Sequence, residues 1–273
     1  MAQASRQVSI TRVTRGGPAP AEDDWVAVEE PLDVRVGEAS LAMTMRTPGH
    51  DEELVAGLLW AEGLLQQPEA LVSVAVEGPA DPWVLGAGAV ATAVLRVGGL
   101  VEPAFTHAKR GTLTSAACGV CGRGALDDLL ERLTPVAPFA GPLELLTDAT
   151  LVLTPAQSVF RRTGGLHAAA VLDPEGRLLV LREDVGRHNA VDKVIGRFVL
   201  DGALPPSGHV LVVSGRTSFE LVQKAIRAGL SAVVGVSAPS TLAVELARAF
   251  GVTLVGFARE GRGNVYSDPG GPR

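Results

Sequence analysis

Cys118 and Cys121 are the only cysteines among 273 residues, in the stretch Ser115-Ala116-Ala117-Cys118-Gly119-Val120-Cys121-Gly122. Glycines between and after them let both sulfurs approach one another or a common atom. A helix pattern follows at Ala125 to Leu133, and a helix N-terminus lowers a thiol below its free value of about 8.5, as do nearby cations such as Lys109, Arg110 and Arg123. Several uses fit the spacing: dithiol–disulfide exchange, capture of a sulfane sulfur as a persulfide with the second thiol assisting its release, or half of a zinc site. A structural zinc wants four protein ligands, and the other candidates are the scattered His50, His107, His167, His188 and His209. Zinc would therefore have to be completed across the fold or across a dimer. A thioredoxin-like motif lies near the N-terminus, whereas this one is mid-chain, and two buried apolar fillers are the bland alternative.

Four other segments concentrate reactive groups. Thr163-Gly164-Gly165-Leu166-His167-Ala168-Ala169-Ala170 brings backbone close to a histidine, which a satisfied core histidine explains equally well. Zinc deaminases need H-x-E followed by P-C-x-x-C; Ala169 stands at the Glu position and no Pro-Cys-x-x-Cys follows, so deamination is excluded. Arg182 to Lys193 packs charges at a strand end and a helix start, either as a site or as a solvated ion-pair loop. Ser214-Gly215-Arg216-Thr217-Ser218 places hydroxyls, backbone N–H groups and a guanidinium before a helix, a phosphate-binding combination. It is not a Walker loop, and no G-x-G-x-x-G follows a strand, so ATP hydrolysis and NAD binding find no support. Phe257 to Tyr266 carries two arginines and glycines with an aromatic at each end, suited to an anionic planar ligand or to a glycine-rich exit loop.

The elements that must position these residues fall into two rhythms. Gly16 to Glu22 and Asp268 to Arg273 read as a loose arm and tail. Trp25 to Val28, Leu32 to Val36 and Leu41 to Met45 read as short strands, Asp51 to about Leu65 as a helix with an acidic first turn, and Val72 to Val76 and Val90 to Val97 as further strands. Later, Ala168 to Leu172, Leu178 to Leu181, His209 to Val213, Ala232 to Val236 and Thr253 to Phe257 read as strands. Helices over Ala190 to Val199, Phe219 to Ala228 and Thr241 to Phe250 alternate with them, which predicts an α/β sheet with sites at the strand ends. The expected division is a smaller β-rich lobe, 1–135, ending in the CxxC loop, and an α/β lobe, 136–273. With 47% hydrophobic and 20% charged residues the chain can build a core. A net charge of −6 offers no global attraction to nucleic acid or anionic membranes. No apolar run nears the ~20 residues of a membrane helix, and no secretory signal is visible, so a cytoplasmic protein is expected.

Taken together, Cys118-Gly-Val-Cys121-Gly, Thr163-Gly-Gly-Leu-His167-Ala-Ala-Ala, Glu183-Asp-Val-Gly-Arg-His-Asn-Ala-Val-Asp-Lys193, Ser214-Gly-Arg-Thr-Ser-Phe-Glu-Leu-Val-Gln-Lys224 and Ser240-Thr-Leu-Ala-Val-Glu245 resemble the FdhD family. Glu29-Glu30-Pro31-Leu32 and Thr47-Pro48-Gly49-His50-Asp51-Glu52-Glu53-Leu54 extend the resemblance over nearly the whole chain. These are formate dehydrogenase accessory sulfurtransferases. The resemblance implies a carrier that takes a persulfide sulfur from a cysteine desulfurase and passes it to the molybdenum or tungsten bis(molybdopterin guanine dinucleotide) cofactor, a bound substrate, before insertion into formate dehydrogenase. It implies Cys118 as the persulfide carrier, Cys121 in an assisting role, and Phe257, Ala258, Arg259, Glu260, Gly261 and Arg262 as the cofactor-binding stretch. A carboxylate at Glu260 would repel phosphate unless it points away or pairs with Arg259 or Arg262. The resemblance further implies a cytidine-deaminase-like α/β sandwich without zinc chemistry and a homodimer, with no resident metal or tightly bound cofactor. The alternative reading is a non-catalytic chaperone for the pterin or the apo-dehydrogenase, with structural or zinc-bound cysteines.

Overall fold

The computed structural model describes residues 4–78, 88–96, 98–101, 130–202, 204 and 207–271. The cysteine pair, the basic residues around it and the helix expected from Ala125 lie mainly outside this set. The chain is mixed α/β, as expected, with three separate sheets.

The first sheet is a ribbon of β1 (Ser5–Thr14) and β2 (Gly17–Ala27), paired antiparallel and largely exposed. The segment expected as a loose arm is thus strand: Ala21 lies opposite Thr11, Glu22 opposite Ile10, and Arg12 pairs with Glu22. Prolines and acids hid it, because a ribbon with two wet faces shows no apolar alternation. The next sheet has four strands in the order β4-β3-β6-β5, from β3 (Glu30–Val36), β4 (Ala39–Arg46), β5 (Leu71–Glu77) and β6 (Ala89–Leu95). Leu32, Val34, Ala91 and Ala93 point from it into the core. Helix α1 (Asp51–Ala61) follows β4 and stops short of the predicted Leu65. Gly63, at φ 71, donates to the Trp60 carbonyl and Leu64 to the Leu59 carbonyl, a left-handed C-terminal cap that ends the helix.

Three short helices, α2 (Leu143–Asp148), α3 (Leu153–Ala156) and α4 (Ser158–Thr163), precede the main sheet. That sheet has six strands in the order β12-β11-β10-β9-β7-β8. They are β7 (His167–Leu172), β8 (Leu178–Asp184), β9 (Val210–Val213), β10 (Ala232–Gly235), β11 (Thr253–Arg259) and β12 (Arg262–Ser267). Strands β9, β10 and β11 are mutually parallel, while β7 runs antiparallel to β9 and to β8. Between them run α5 (Arg187–Leu200), α6 (Phe219–Arg227) and α7 (Thr241–Ala249).

Period-two alternation divides the sheet's side chains between two cores. Ala169, Val171, Leu211, Val213, Val233 and Leu254 share one cluster with α5, α6, α7, α1 and the four-stranded sheet. Ala168, Ala170, Leu172, Val210, Val212, Ala232 and Val234 join Phe139, Leu146 and Leu153 on the other face. The first cluster therefore runs without a break from residues of the first half to residues of the second. Its tightest point is the crossing of α1 and α5. A Cβ on Gly57 would lie 1.9 Å from the Asp192 carbonyl oxygen, and one on Gly196 would lie 1.7 Å from that of Glu53. Only glycine permits this approach. No helix among the described residues is long and apolar enough to cross a membrane.

Candidate functional site

Because β8, β9, β10 and β11 run in one direction and β7 in the other, one edge of the main sheet collects nearly every segment singled out in the sequence. His167 opens β7, residues 185–189 follow β8, Ser214 to Ser218 follow β9, residues 236–240 follow β10, and Phe257 to Arg262 lie where β11 turns into β12. Carboxyl ends of parallel strands are where open α/β sheets place their ligands.

The loops at this edge are stitched together by backbone hydrogen bonds. Ser214 donates to the Ala168 carbonyl at 3.0 Å and its hydroxyl accepts from Ala168 N–H at 2.8 Å. Thr217 donates to Ala238 at 3.2 Å, Ser240 to Thr217 at 3.0 Å, and Phe257 to Ser237 at 3.2 Å. Gly235 lies over the Thr217 hydroxyl, where a Cβ would come within 2.5 Å of Oγ1. Ser240 caps α7, its hydroxyl accepting from Ala243 N–H at 3.3 Å.

The charged run Arg182 to Lys193 separates into scaffold and edge. Glu183 accepts from the backbone N–H groups of Val159 and Phe160 at 3.0 and 2.7 Å, which fixes the start of α4. Arg182 grips Glu53 of α1 through Nε and Nη2 at 2.5 and 2.6 Å. Burial opposes ionisation of Glu53, but the hydrogen bonds from Arg182 and His50 outweigh it and hold the carboxyl at about 2. Asp184 is fully buried and accepts from Gly186 N–H at 2.8 Å, Asn189 Nδ2 at 3.0 Å and Thr47 N–H at 3.2 Å, with Lys193 Nζ at 2.7 Å. Lys193 also donates to the Thr47 carbonyl at 2.8 Å. A side chain at Gly186 would strike Asn189, its Cβ 2.9 Å from Nδ2. This part of the run is thus a set of ties between the β8–α5 turn and the chain after β4.

Arg187 and His188 face the edge itself. His188 Nε2 lies 3.3 Å from Glu220 and 3.4 Å from the Ser218 hydroxyl. Burial pushes His188 down to about 4 against the pull of Glu220, so it is neutral at neutral pH. Behind it, Lys224 bonds both oxygens of Asp192 at 2.7 and 2.9 Å in full burial.

The expected cofactor stretch is a hairpin rather than an exit loop, since β12 returns along β11 with Arg259 opposite Arg262. Glu260 and Gly261, at φ 48 and 74, form the two-residue turn, a conformation that matches strand twist. Phe257, at φ 53, sits in a bulge and is half exposed, while Ala258 is buried with its carbonyl accepting from Thr150 at 3.1 Å. Glu260 reaches Arg259 at 3.8 Å, both exposed. The glycine at the turn was legible; β12, in which only Ser267 is buried, was not. The contacts of Thr47 with Val185, in the turn before α5, and of Met45 with Asn189 of α5 span more than a hundred residues and left no local signal. Cys118 and Cys121 lie outside the described residues. Among the described residues no group of three His, Cys, Asp or Glu side chains could hold a metal ion.

The comparisons with known proteins agree with one another. The family model described as FdhD/NarQ family matches residues 27–271. The chain is 43% identical to the sulfur carrier protein FdhD of Streptomyces avermitilis, covering 98% of this chain and 95% of that protein. It is 45% identical to the protein of the same name from Mycobacterium tuberculosis, covering 89% and 90%. A crystal structure from Desulfotalea psychrophila, described as a formate dehydrogenase accessory protein, superposes with a TM-score of 0.75 at 24% identity, covering 98% of this chain and 99% of that one. That likeness bears on the fold. With a family model spanning the chain and relatives this similar over almost their full length, the chain belongs to the FdhD/NarQ family.

Proposed function

We propose that this chain is a sulfur carrier that serves the maturation of formate dehydrogenase. The observation that carries the reading is 43% identity over nearly the full length to a protein named as a sulfur carrier, together with the Cys118-Gly-Val-Cys121 pair in this sequence. In this reading the Cys118 thiolate attacks the outer sulfur of a cysteine desulfurase persulfide. A new S–S bond forms on Cys118, the donor's S–S bond breaks, and the desulfurase leaves as a thiolate. The carried sulfur is at the zero oxidation level, whereas a sulfido ligand carries two more electrons. Cys121 supplies them: its thiolate attacks the Cys118 sulfur, hydrosulfide departs, and a disulfide remains for a cellular dithiol to reduce. The hydrosulfide would replace an oxo ligand on the molybdenum or tungsten of a bis-guanine-dinucleotide pterin, its proton leaving with the displaced oxygen as hydroxide; the pterin is substrate here.

Phe257, Ala258, Arg259, Glu260, Gly261 and Arg262 are the assigned contact for that pterin, with Arg259 and Arg262 facing each other across the turn in support. The carrier is proposed to act in the cytoplasm, as a homodimer of two-lobed subunits divided near residue 135, with formate dehydrogenase as recipient. The test is intact and peptide mass spectrometry after incubation with a cysteine desulfurase and cysteine, without reductant. Wild type and Cys118→Ala separate the outcomes: a gain of one sulfur atom, reversed by dithiothreitol and absent from Cys118→Ala, is expected. No gain with a competent donor would shift the assignment to a chaperone that holds the pterin or the apo-dehydrogenase.

A further inference from the structure

Cys118 and Cys121 belong to the stretch 102–129, outside the described residues, but both flanks of that stretch are described. On the first flank Leu100 bridges to Leu65, and Val101 N–H donates to the Leu64 carbonyl at 3.1 Å. Leu64 follows the left-handed Gly63 that ends α1. On the second flank Leu133 donates to the Leu130 carbonyl at 3.1 Å, and Val136 to that of Phe250 at 2.9 Å. Helix α6, which starts at the loop edge after Ser218, ends between these two flanks at Arg227.

Arg227 is partly buried, with its guanidinium carbon 5.5 Å from the centre of the Trp60 ring. Its Nε donates to the Trp60 carbonyl at 3.3 Å and its Nη1 to the Arg132 carbonyl at 3.5 Å. Nη2 lies over Gly63, where a Cβ would come within 3.5 Å of it. The Trp60 indole N–H returns a bond to the Arg227 carbonyl at 2.8 Å. Burial, and after it the charge of Arg132, hold the guanidinium below its ordinary range, with Glu62 pulling the other way. A planar fork can bond two backbone segments at once, which a single ammonium cannot do in the same geometry. Here those segments are the end of α1 and the second flank of the cysteine-bearing stretch.

We propose that Arg227 is a positioning residue for sulfur loading: by tying together the two flanks of the cysteine-bearing stretch, it sets how Cys118 meets the sulfur donor. The proposal rests on the sulfur-carrier reading. In the loading step the Cys118 thiolate attacks the outer sulfur of the donor persulfide, the new S–S bond forms as the old one breaks, and the donor leaves as a thiolate. Arg227 exchanges no proton or electron in that step. Its effect is geometric, since attack along an S–S axis held by another protein is sensitive to displacements of about 1 Å. Holding the flanks together also lowers the entropy that the stretch must lose to reach one orientation. Gln223, one turn earlier on α6, provides the contrast. Its Nε2 donates to the Ala61 carbonyl at 2.9 Å, so it fastens α6 to α1 without a bond to either flank.

The test follows the rate of persulfide formation on Cys118 by peptide mass spectrometry, with a cysteine desulfurase and cysteine, in the full chain. The proteins are wild type, Arg227→Gln, Arg227→Lys and Gln223→Met, each checked for folding by circular dichroism and for stability by urea midpoint. Alkylation of Cys118 by iodoacetamide, a small reagent with no docking requirement, is measured in parallel. Loading is expected to slow by about tenfold or more in Arg227→Gln, and nearly as much in Arg227→Lys, which keeps the charge but not the fork. Alkylation is expected to stay within about twofold of wild type, because the thiol itself is unchanged. Gln223→Met is expected to lower the urea midpoint and to load as wild type does. Loading at the wild-type rate in either folded Arg227 variant would overturn the positioning role. So would an equal slowing in Gln223→Met, which would make the effect one of general stability, or an equal fall in alkylation, which would make it one of thiol reactivity. Arg227→Lys retains the stacked cation and keeps the test decisive if Arg227→Gln does not fold. The sulfur-carrier reading fails separately, on a wild type that takes up no sulfur at all.

Discussion

Replacing Gly57 by alanine tests the packing of α1 against α5. Alanine is the better helix former by about 1 kcal/mol, so propensity alone predicts a more stable protein. The structure predicts the opposite. The new Cβ would sit 1.9 Å from the Asp192 carbonyl oxygen, whereas real contacts lie beyond 3 Å. The helices must therefore separate by more than ~1 Å, and a gap of that size forfeits a quarter to a half of each dispersion contact along the seam. Leu54, Val55, Val191, Val194 and Ile195 all line it and are buried. Asp192 is also the partner of Lys224, so the displaced carbonyl drags on a buried ion pair. Overpacking of this kind costs about 1 to 3 kcal/mol, and with the contacts of the seam included we expect a net loss of about 2 kcal/mol or more. Equilibrium urea unfolding followed by circular dichroism reads it directly. The control is Gly165→Ala, where a Cβ would meet Ala27 at an ordinary 3.5 Å, so its midpoint should change little. A Gly57→Ala protein as stable as wild type would refute the argument.

Other expectations follow from the charge ties and caps. The folded-state pKa of Glu53 is depressed, so its contribution to stability is present above about 4.5 and fades as pH falls toward 2. It amounts to no more than about 3 kcal/mol, and acid titration of Glu53→Gln should show a shallower loss across that window. Asp184→Asn leaves Lys193 charged and buried, and should cost about 3 to 5 kcal/mol in the same unfolding assay. Ser240→Ala removes the acceptor for Ala243 N–H and should cost about 1 kcal/mol, with native spectra retained.

The parts of the fold that could be read from the sequence are those whose two faces differ in polarity. Strands β7, β9, β10 and β11 were visible as apolar runs between helices, because a sheet covered on both faces writes continuous valines and alanines. The ribbon β1–β2, mostly exposed, and strand β12, with a single buried residue, were not, since neither leaves an apolar period to detect. At the edge, Arg187, His188, Arg216 and Phe257 stood out by residue type beside glycines. Which of their neighbours are scaffold was hidden, because Glu183, Asp184 and Lys193 look the same in one dimension as Arg187 does. Only the partners Val159, Thr47 and Asn189 distinguish them, and two of these lie far along the chain.

The glycine crossing of α1 and α5 also sets how this gene can be recombined. Gly57 comes from the first half of the chain and faces Asp192, while Gly196 from the second half faces Glu53. Each half thus supplies the gap that the other's backbone fills. A chimera that joins the first half of one relative to the second half of another inherits a working seam only when both parents leave both gaps open. Relatives that fill either position with a larger side chain must have moved the opposing helix, and their halves are not interchangeable with these.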